Sequence, residues 1–230
     1  DKHCDTRFIY IKISLLPIVA KVFEKILLKQ ILQFLENENI LVPNQYGFRK
    51  GSSTSAAILK FVNQVSQAFE QKESYNAFFL DLSKAFDCVS HDILIRKLLY
   101  YNFHPLSTKL ICSYLTNRTQ CVKVDGSLSD ESIITYGVPQ GSILCPILFL
   151  LYINDLPYCL KNVDVMMYAD DTTVSFADSP REDTISKQKQ IITNTESWFL
   201  ANRLGINSKK TTKMLFTLKH VQKDEHFVEC

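Results

Sequence analysis

The sequence predicts an α+β protein. Apolar residues recur at helical spacing in several separate stretches, and short β-branched and aromatic runs bounded by turn residues lie between them. The two kinds follow one another without a repeating strand–helix–strand unit, which sets the class apart from a parallel α/β fold. The 230 residues suffice for one large domain or two small ones with a buried core. With 46% hydrophobic and 22% charged residues, the chain is neither disordered nor fibrous.

Residues 17–36 read as a helix. Pro17 suits its first turn, and Ile18, Val22 and Ile26, with Val19, Phe23, Leu27 and Ile31, give a broad apolar face. Residues 43–54 form a polar, basic loop. Residues 56–71 read as a second helix facing inward through Ile58, Val62, Val65 and Phe69. Residues 77–82 are a continuous apolar run interrupted by Asp81, as in a buried strand. Helices follow at 91–101 and 106–115, then a hairpin from 119–124 and 132–136 turning at Gly126. Residues 142–156 are apolar nearly all round, as in a buried helix. Residues 164–177 read as two strands flanking Asp170 and Asp171, followed by a helix at 181–203 and a last strand at 212–218.

The formal net charge of +2 hides a pattern. Residues 1–50 carry 8 Lys+Arg against 5 Asp+Glu, residues 51–180 carry 9 against 13, and residues 181–230 carry 9 against 6. An acidic middle lies between basic flanks. The seven cysteines are odd in number and include no CxxC pair, which argues against a disulfide framework or a zinc cluster and for a reduced, intracellular protein. The longest apolar run, Ile143 to Ile153, is too short to span a bilayer, so no membrane association is expected. The chain begins at Asp1 and ends in a polar stretch, as expected of a fragment of a longer protein.

Asp170-Asp171 stands between apolar strands, where a tight hairpin favours Asn-Gly or Asp-Gly. Adjacent like charges repel, and a bound divalent cation is the simplest compensation, since hard cations prefer carboxylate oxygen. The alternative is an exposed turn with two solvated aspartates. Asp81 adds a third carboxylate, which as a plain strand-end residue could pair with Lys84. Three carboxylates on neighbouring strands suit two metal ions about 3.5–4 Å apart, a site for in-line phosphoryl displacement. Neither a phosphate-binding Walker loop nor a dinucleotide fingerprint suggests another phosphate chemistry.

Phe79-Leu80-Asp81-Leu82-Ser83-Lys84-Ala85-Phe86-Asp87, then Gly137-Val138-Pro139-Gln140-Gly141-Ser142, then Tyr168-Ala169-Asp170-Asp171, resemble in order and rough spacing the motifs of reverse transcriptases, most closely those of non-LTR retrotransposons of the LINE or jockey type. Ile13 to Pro17 with Lys21, Phe23 and Glu24, and Gln45 to Gly51, are similar to the two finger motifs. Trp198, Asn202, Leu204, Asn207, Lys210 and Thr211 are similar to the motif that closes the palm.

The resemblance implies fingers over residues 1–76, a palm over 77–218 with an insertion at 91–136, a polar tail at 219–230, and no thumb or endonuclease within the chain. It implies an RNA template, a DNA primer and deoxynucleoside triphosphates as partners, and two Mg²⁺ ions (Mn²⁺ as a substitute) held by Asp81, Asp170 and Asp171 with help from the Leu82 carbonyl. Phe86 corresponds to the steric gate that excludes a 2′-hydroxyl; the alternative is plain core packing. Asp87 is expected to make a structural hydrogen bond. Gly137, Gln140 and Gly141 would lie against the nascent base pair, or else form a simple helix-entry loop. Arg49 and Lys50 would contact template and phosphates, or else a solvated loop. Lys210 would assist the pyrophosphate leaving group. The family's usual Arg-Pro before the first helix is replaced by Ile11-Lys12, and its usual His by Ser52. Copying in the nucleus is the family habit. The competing reading is an inactive or truncated retroelement relic that serves only as a folded RNA- or protein-binding module.

Overall fold

The computed structural model describes residues 16–124, 127–178 and 184–218. The readings of residues 1–15, of the Gly126 turn and of the 219–230 tail lie outside the described residues. The elements run α1 (Ile18–Asn37), α2 (Thr54–Glu70), β1 (Ser74–Leu80), β2 (Leu82–Ser83), a 3-10 turn (Ala85–Asp87), α3 (His91–Tyr100), α4 (Pro105–Leu115), β3 (Arg118–Gln120), β4 (Lys123–Val124), β5 (Ser127–Leu128), β6 (Ser132–Ile134), α5 (Cys145–Ile153), α6 (Leu156–Cys159), β7 (Asp164–Tyr168), β8 (Asp171–Asp178), α7 (Thr184–Ala201), β9 (Gly205–Ile206) and β10 (Thr212–Phe216). The α+β class is as expected.

An antiparallel sheet of order β10-β1-β8-β7 organises the molecule. The central strand β1 is covered on both faces, which is why its sequence is apolar without alternation. Tyr75 and Phe79 point to one face, where Phe61 of α2 meets their rings at 5.9 and 5.8 Å. Phe78 and Leu80 point to the other, against Phe176, Val174 and α7. The buried Asn76 is bonded from α7 through its Oδ1, to which Gln188 Nε2 donates while Gln188 in turn accepts from Lys213; Asn76 Nδ2 has no hydrogen-bond partner among the described residues.

Helix α5 is apolar on all sides because it is buried on all sides; every residue but Pro146 is buried. Each large side chain there contributes about 1.5–3 kcal/mol on leaving water. Its polar exceptions are paired. The Tyr152 hydroxyl donates to the Asn202 carbonyl and accepts from the Ser90 amide, and Lys97 of α3 donates to the Tyr152 carbonyl and to Asp155.

Two expected helix faces are corrected. Ile18, Val19, Val22, Phe23 and Ile26 of α1 are at least half exposed, whereas Glu24, Ile31 and Leu35 are buried. In α2, Ile58 and Val62 are exposed, and Ala57 and Ala68 are the buried positions. The small Ala side chains permit the close approach to the sheet that places Phe61 on Tyr75 and Phe79. The hairpin after α4 forms two successive ladders, β3 with β6 and β4 with β5. The short pair β2–β9 was not expected, because two-residue strands carry no periodicity.

Candidate active site

The register of β1 on β8 pairs Leu80 with Thr172, so one step past the ladder Asp81 falls opposite Asp171. Like charges opposite one another on antiparallel strands destabilise a sheet. Asp170 sits in the two-residue turn between β7 and β8, where Tyr168 pairs with Asp171. The other turn residue, Ala169, holds φ +57, a left-handed conformation costly for a residue with a Cβ. The Asp171 carboxyl is pushed above the usual carboxylate range, first by burial, then by repulsion from Asp170 and Asp81, against the opposing pull of Lys210. Three carboxylates and one ammonium thus share one field.

Asp81 is held from the β9–β10 loop. Its carbonyl accepts from the Asn207 amide (2.8 Å), its Oδ2 accepts from Asn207 Nδ2 (3.1 Å), and Lys210 Nζ lies 3.7 Å from the same oxygen. The Lys210 side chain is 69% exposed, so the ion pair contributes little and yields easily. Lys213 donates to Gln188, and it is Lys210 that lies within ion-pair distance of Asp81. The Asn207-to-Asp81 bond makes that pair a hydrogen-bonded one, and the alternation of an antiparallel ladder turns the carbonyl of the next residue, Leu82, away from β9.

A second group assembles around the 3-10 turn. The half-buried Phe86 ring rests on Phe149 at a centroid distance of 4.6 Å. Its carbonyl accepts from the Val138 amide, and Gly137 bonds Val89 through its own amide and His91 through its carbonyl. Gln140 Nε2 donates to Asp87 Oδ1 at 2.9 Å, the structural bond expected of Asp87. Gly137 (φ +88) has no room for a Cβ, which would meet the Asp87 backbone at 2.9 Å. Asp87, Arg118, Tyr136, Gly137 and Gln140 line a cavity of about 250 Å³. Gly141 (φ +96) leads on to Ser142, whose Oγ accepts from the Leu144 amide at the entrance to α5.

Arg49 and Lys50 are not brought against the carboxylates. Arg49 Nη1 donates to the Val42 carbonyl (2.6 Å), and Lys50 is exposed. Their loop reaches the site through its other end. Tyr46 N donates to the Met167 carbonyl and Met167 N to the Asn44 carbonyl, which lays Asn44–Tyr46 along β7. The buried Gln45 accepts through Oε1 from the Ala169 amide (3.0 Å) and the Gly47 amide (2.7 Å). Gln45, Glu24 and Asn207 lie in quoted motifs but carry no role in the sequence reading. A carboxylate in line with Leu28, Ile31 and Leu35 on one helix stripe was the visible signal for Glu24; Gln45 and Asn207 left none.

The donor set fits a divalent cation. It is all oxygen, it carries repelling negative charges, and the raised Asp171 marks charge left without full compensation. With Asp81 turned onto Asn207 and Lys210, no three acidic, His or Cys side chains among the described residues already converge as a metal centre.

An antiparallel sheet flanked by helices, with aspartates at the ends of its central strands, defines an α+β protein with an acidic sheet edge. Residues 9–227 match the family described as reverse transcriptase (RNA-dependent DNA polymerase), and the chain belongs to that family. It is 34% identical over 218 residues to a probable RNA-directed DNA polymerase from transposon X-element of Drosophila melanogaster, covering 91% of this chain and 24% of that protein. It is 31% identical to the RNA-directed DNA polymerase from mobile element jockey of the same species, covering 88% and 23%. The chain thus spans about a quarter of the length of these relatives. Telomerase from Candida tropicalis shares the fold, with a TM-score of 0.61 at 15% identity over 84% of this chain and 33% of that one. Among the described residues no helix is long and apolar enough to cross a membrane.

Proposed function

We propose that the chain is the fingers and palm of an RNA-directed DNA polymerase of a non-LTR retrotransposon, with fingers over residues 1–76 and palm over 77–218. The observation that carries this is the meeting of Asp81, Asp170 and Asp171 in one field opposed by Lys210. Asp81, Asp170 and Asp171, with the Leu82 carbonyl, would hold two Mg²⁺ ions (Mn²⁺ as a substitute), which when bound supply a lowered pKa for the primer hydroxyl and charge neutralisation at the triphosphate.

The rest is the work of this chain's own groups. The Lys210 ammonium, displaced from Asp81, holds the proton that the pyrophosphate leaving group takes up. Phe86, braced by Phe149 behind it, forms a flat wall under the sugar that leaves no room for a 2′-hydroxyl. The Gln140 amide, fixed through Asp87, lies with Gly137 and Gly141 against the nascent base pair. Arg49 and Lys50 neutralise template phosphates, and the spare guanidinium N–H groups of Arg49 remain available beyond its bond to Val42.

Primer extension on an RNA template with dNTPs and Mg²⁺ tests the proposal, using the chain within its longer parent protein. Asp170→Asn with Asp171→Asn should reduce extension to background. Extension that survives both substitutions refutes the carboxylate assignment; absence of extension by the unmodified protein favours an inactive relic.

A further inference from the structure

We propose that Gln45 is a positioning residue for the Asp170–Asp171 turn: its side-chain amide, presented from the 43–54 loop, sets the backbone from which both carboxylates project. The inference rests on the metal-site reading above and adds to it a residue outside the carboxylate motifs.

Three features carry it. Gln45 is 2% exposed, and its Oε1 accepts from the Ala169 amide at 3.0 Å and the Gly47 amide at 2.7 Å. Ala169 holds φ +57, a conformation that persists in a residue with a Cβ only when its surroundings enforce it. The segment is fastened alongside: Asn44 and Tyr46 bond Met167 on both sides, and Asn44 Nδ2 donates to the Val165 carbonyl. Gly47 passes so close that a Cβ would lie 2.3 Å from the Ala169 nitrogen.

The chemistry of the side chain supports the same role. Gln45 Nε2 is buried without a hydrogen-bond partner among the described residues, a costly arrangement. Glutamate would offer the same acceptor with no stranded donor, but would add a charge beside the Asp170–Asp171 turn. A neutral acceptor braces the turn without deepening the repulsion between its carboxylates.

The test compares the unmodified protein with Gln45→Met, which keeps the volume and loses the acceptor, in two measurements. Amide hydrogen exchange at Ala169 should accelerate at least tenfold. Direct Mn²⁺ binding, followed by electron paramagnetic resonance, should weaken by roughly tenfold or more, the usual effect of losing an outer partner of a metal site. Unchanged exchange overturns the proposal. Faster exchange with unchanged Mn²⁺ affinity also overturns it, since Gln45 would then serve the fold alone. An Asp170→Asn control reports on the metal reading: if the unmodified protein shows no Asp170-dependent Mn²⁺ binding, that reading fails, and exchange at Ala169 alone decides whether Gln45 sets the turn. Should Gln45→Met not fold, the same measurements apply to Gln45→Met with Ala169→Gly. Glycine accepts the positive φ without a brace, so the pair should bind Mn²⁺ within about threefold of the unmodified protein. A tenfold loss in that pair overturns the proposal.

Discussion

Glu24 offers the sharpest test of how α1 is joined to the loop beside the site. It is 3% exposed. It accepts from the Tyr114 hydroxyl (2.9 Å), the Ser142 hydroxyl (3.1 Å) and the Ile143 amide (2.9 Å), so one carboxylate ties α1 and α4 to the entrance of α5. Burial holds the Tyr114 phenol up at about 12, opposed by its Ser142 bond and supported by Glu24, so it stays a donor at neutral pH. Hydrogen bonds to a charged group contribute about 1.5–3 kcal/mol each. In Glu24→Ala the Tyr114 and Ser142 hydroxyls, 2.6 Å apart, still satisfy each other, but the Ile143 amide loses its partner. The expected cost is therefore about 3–4 kcal/mol, well short of three full bonds. Glu24→Gln keeps one acceptor oxygen and should cost about 1 kcal/mol. Urea unfolding followed by circular dichroism measures both, read from the midpoint at unchanged slope. A cost below 1 kcal/mol for Glu24→Ala, or equal costs for the two variants, refutes the reasoning, because the first removes the acceptor and the second keeps it.

Phe86→Ala should raise ribonucleotide incorporation relative to dNTP in primer extension, and an unchanged ratio would leave the ring with its packing role on Phe149 alone. The Asp171 carboxyl is raised in the folded protein, so the stability linked to it is present at low pH and lost as pH climbs through that raised value. Asp171→Asn should accordingly raise the melting temperature in EDTA at pH 7 and flatten its fall between acidic and neutral pH; a lower melting temperature contradicts the burial and repulsion invoked. Gly47→Ala puts a methyl against backbone at 2.3 Å and should destabilise by about 1–3 kcal/mol in thermal unfolding, while Gly205→Ala, with nothing within 4 Å of the added carbon, should be tolerated.

The elements were legible wherever burial left an unbroken apolar run or a turn stood between two strands. The β1 run, the apolar α5 and the paired strands around Asp170-Asp171 lie close to their expected positions, because burial on both faces or a turn within a hairpin leaves a direct mark on the sequence. The orientation of α1 and α2 did not. Ile58 and Val62 outrank Ala57 and Ala68 in hydrophobicity, yet closeness of approach chose the alanines, and closeness is a tertiary quantity. The carboxylates were legible as broken local rules: an aspartate ending an apolar strand and a doubled aspartate in a turn. Their supports were not. Gln45 and Asn207 are ordinary polar residues in loops, and only the register of distant strands shows that one holds the Ala169 amide and the other Asp81.

Those supports have a physical purpose in common. The register that brings Asp81 opposite Asp171 imposes repulsion at the end of the central strand pair, and the turn carrying Asp170 adds a strained Ala169. Hydrophobic packing below cannot cure either, since the charged ends are where the sheet leaves the core. What steadies them is polar and comes from remote sequence: the Gln45 amide on one side, Asn207 and Lys210 on the other. The two sides differ in kind. Gln45 is buried, neutral and bonded to backbone, suited to a part that stays fixed. Lys210 is exposed and 3.7 Å from its partner, suited to a part that lets go. The turn bearing Asp170 is thus braced by a buried neutral side chain, whereas Asp81 is held by a loop amide and an exposed ammonium, the looser of the two arrangements.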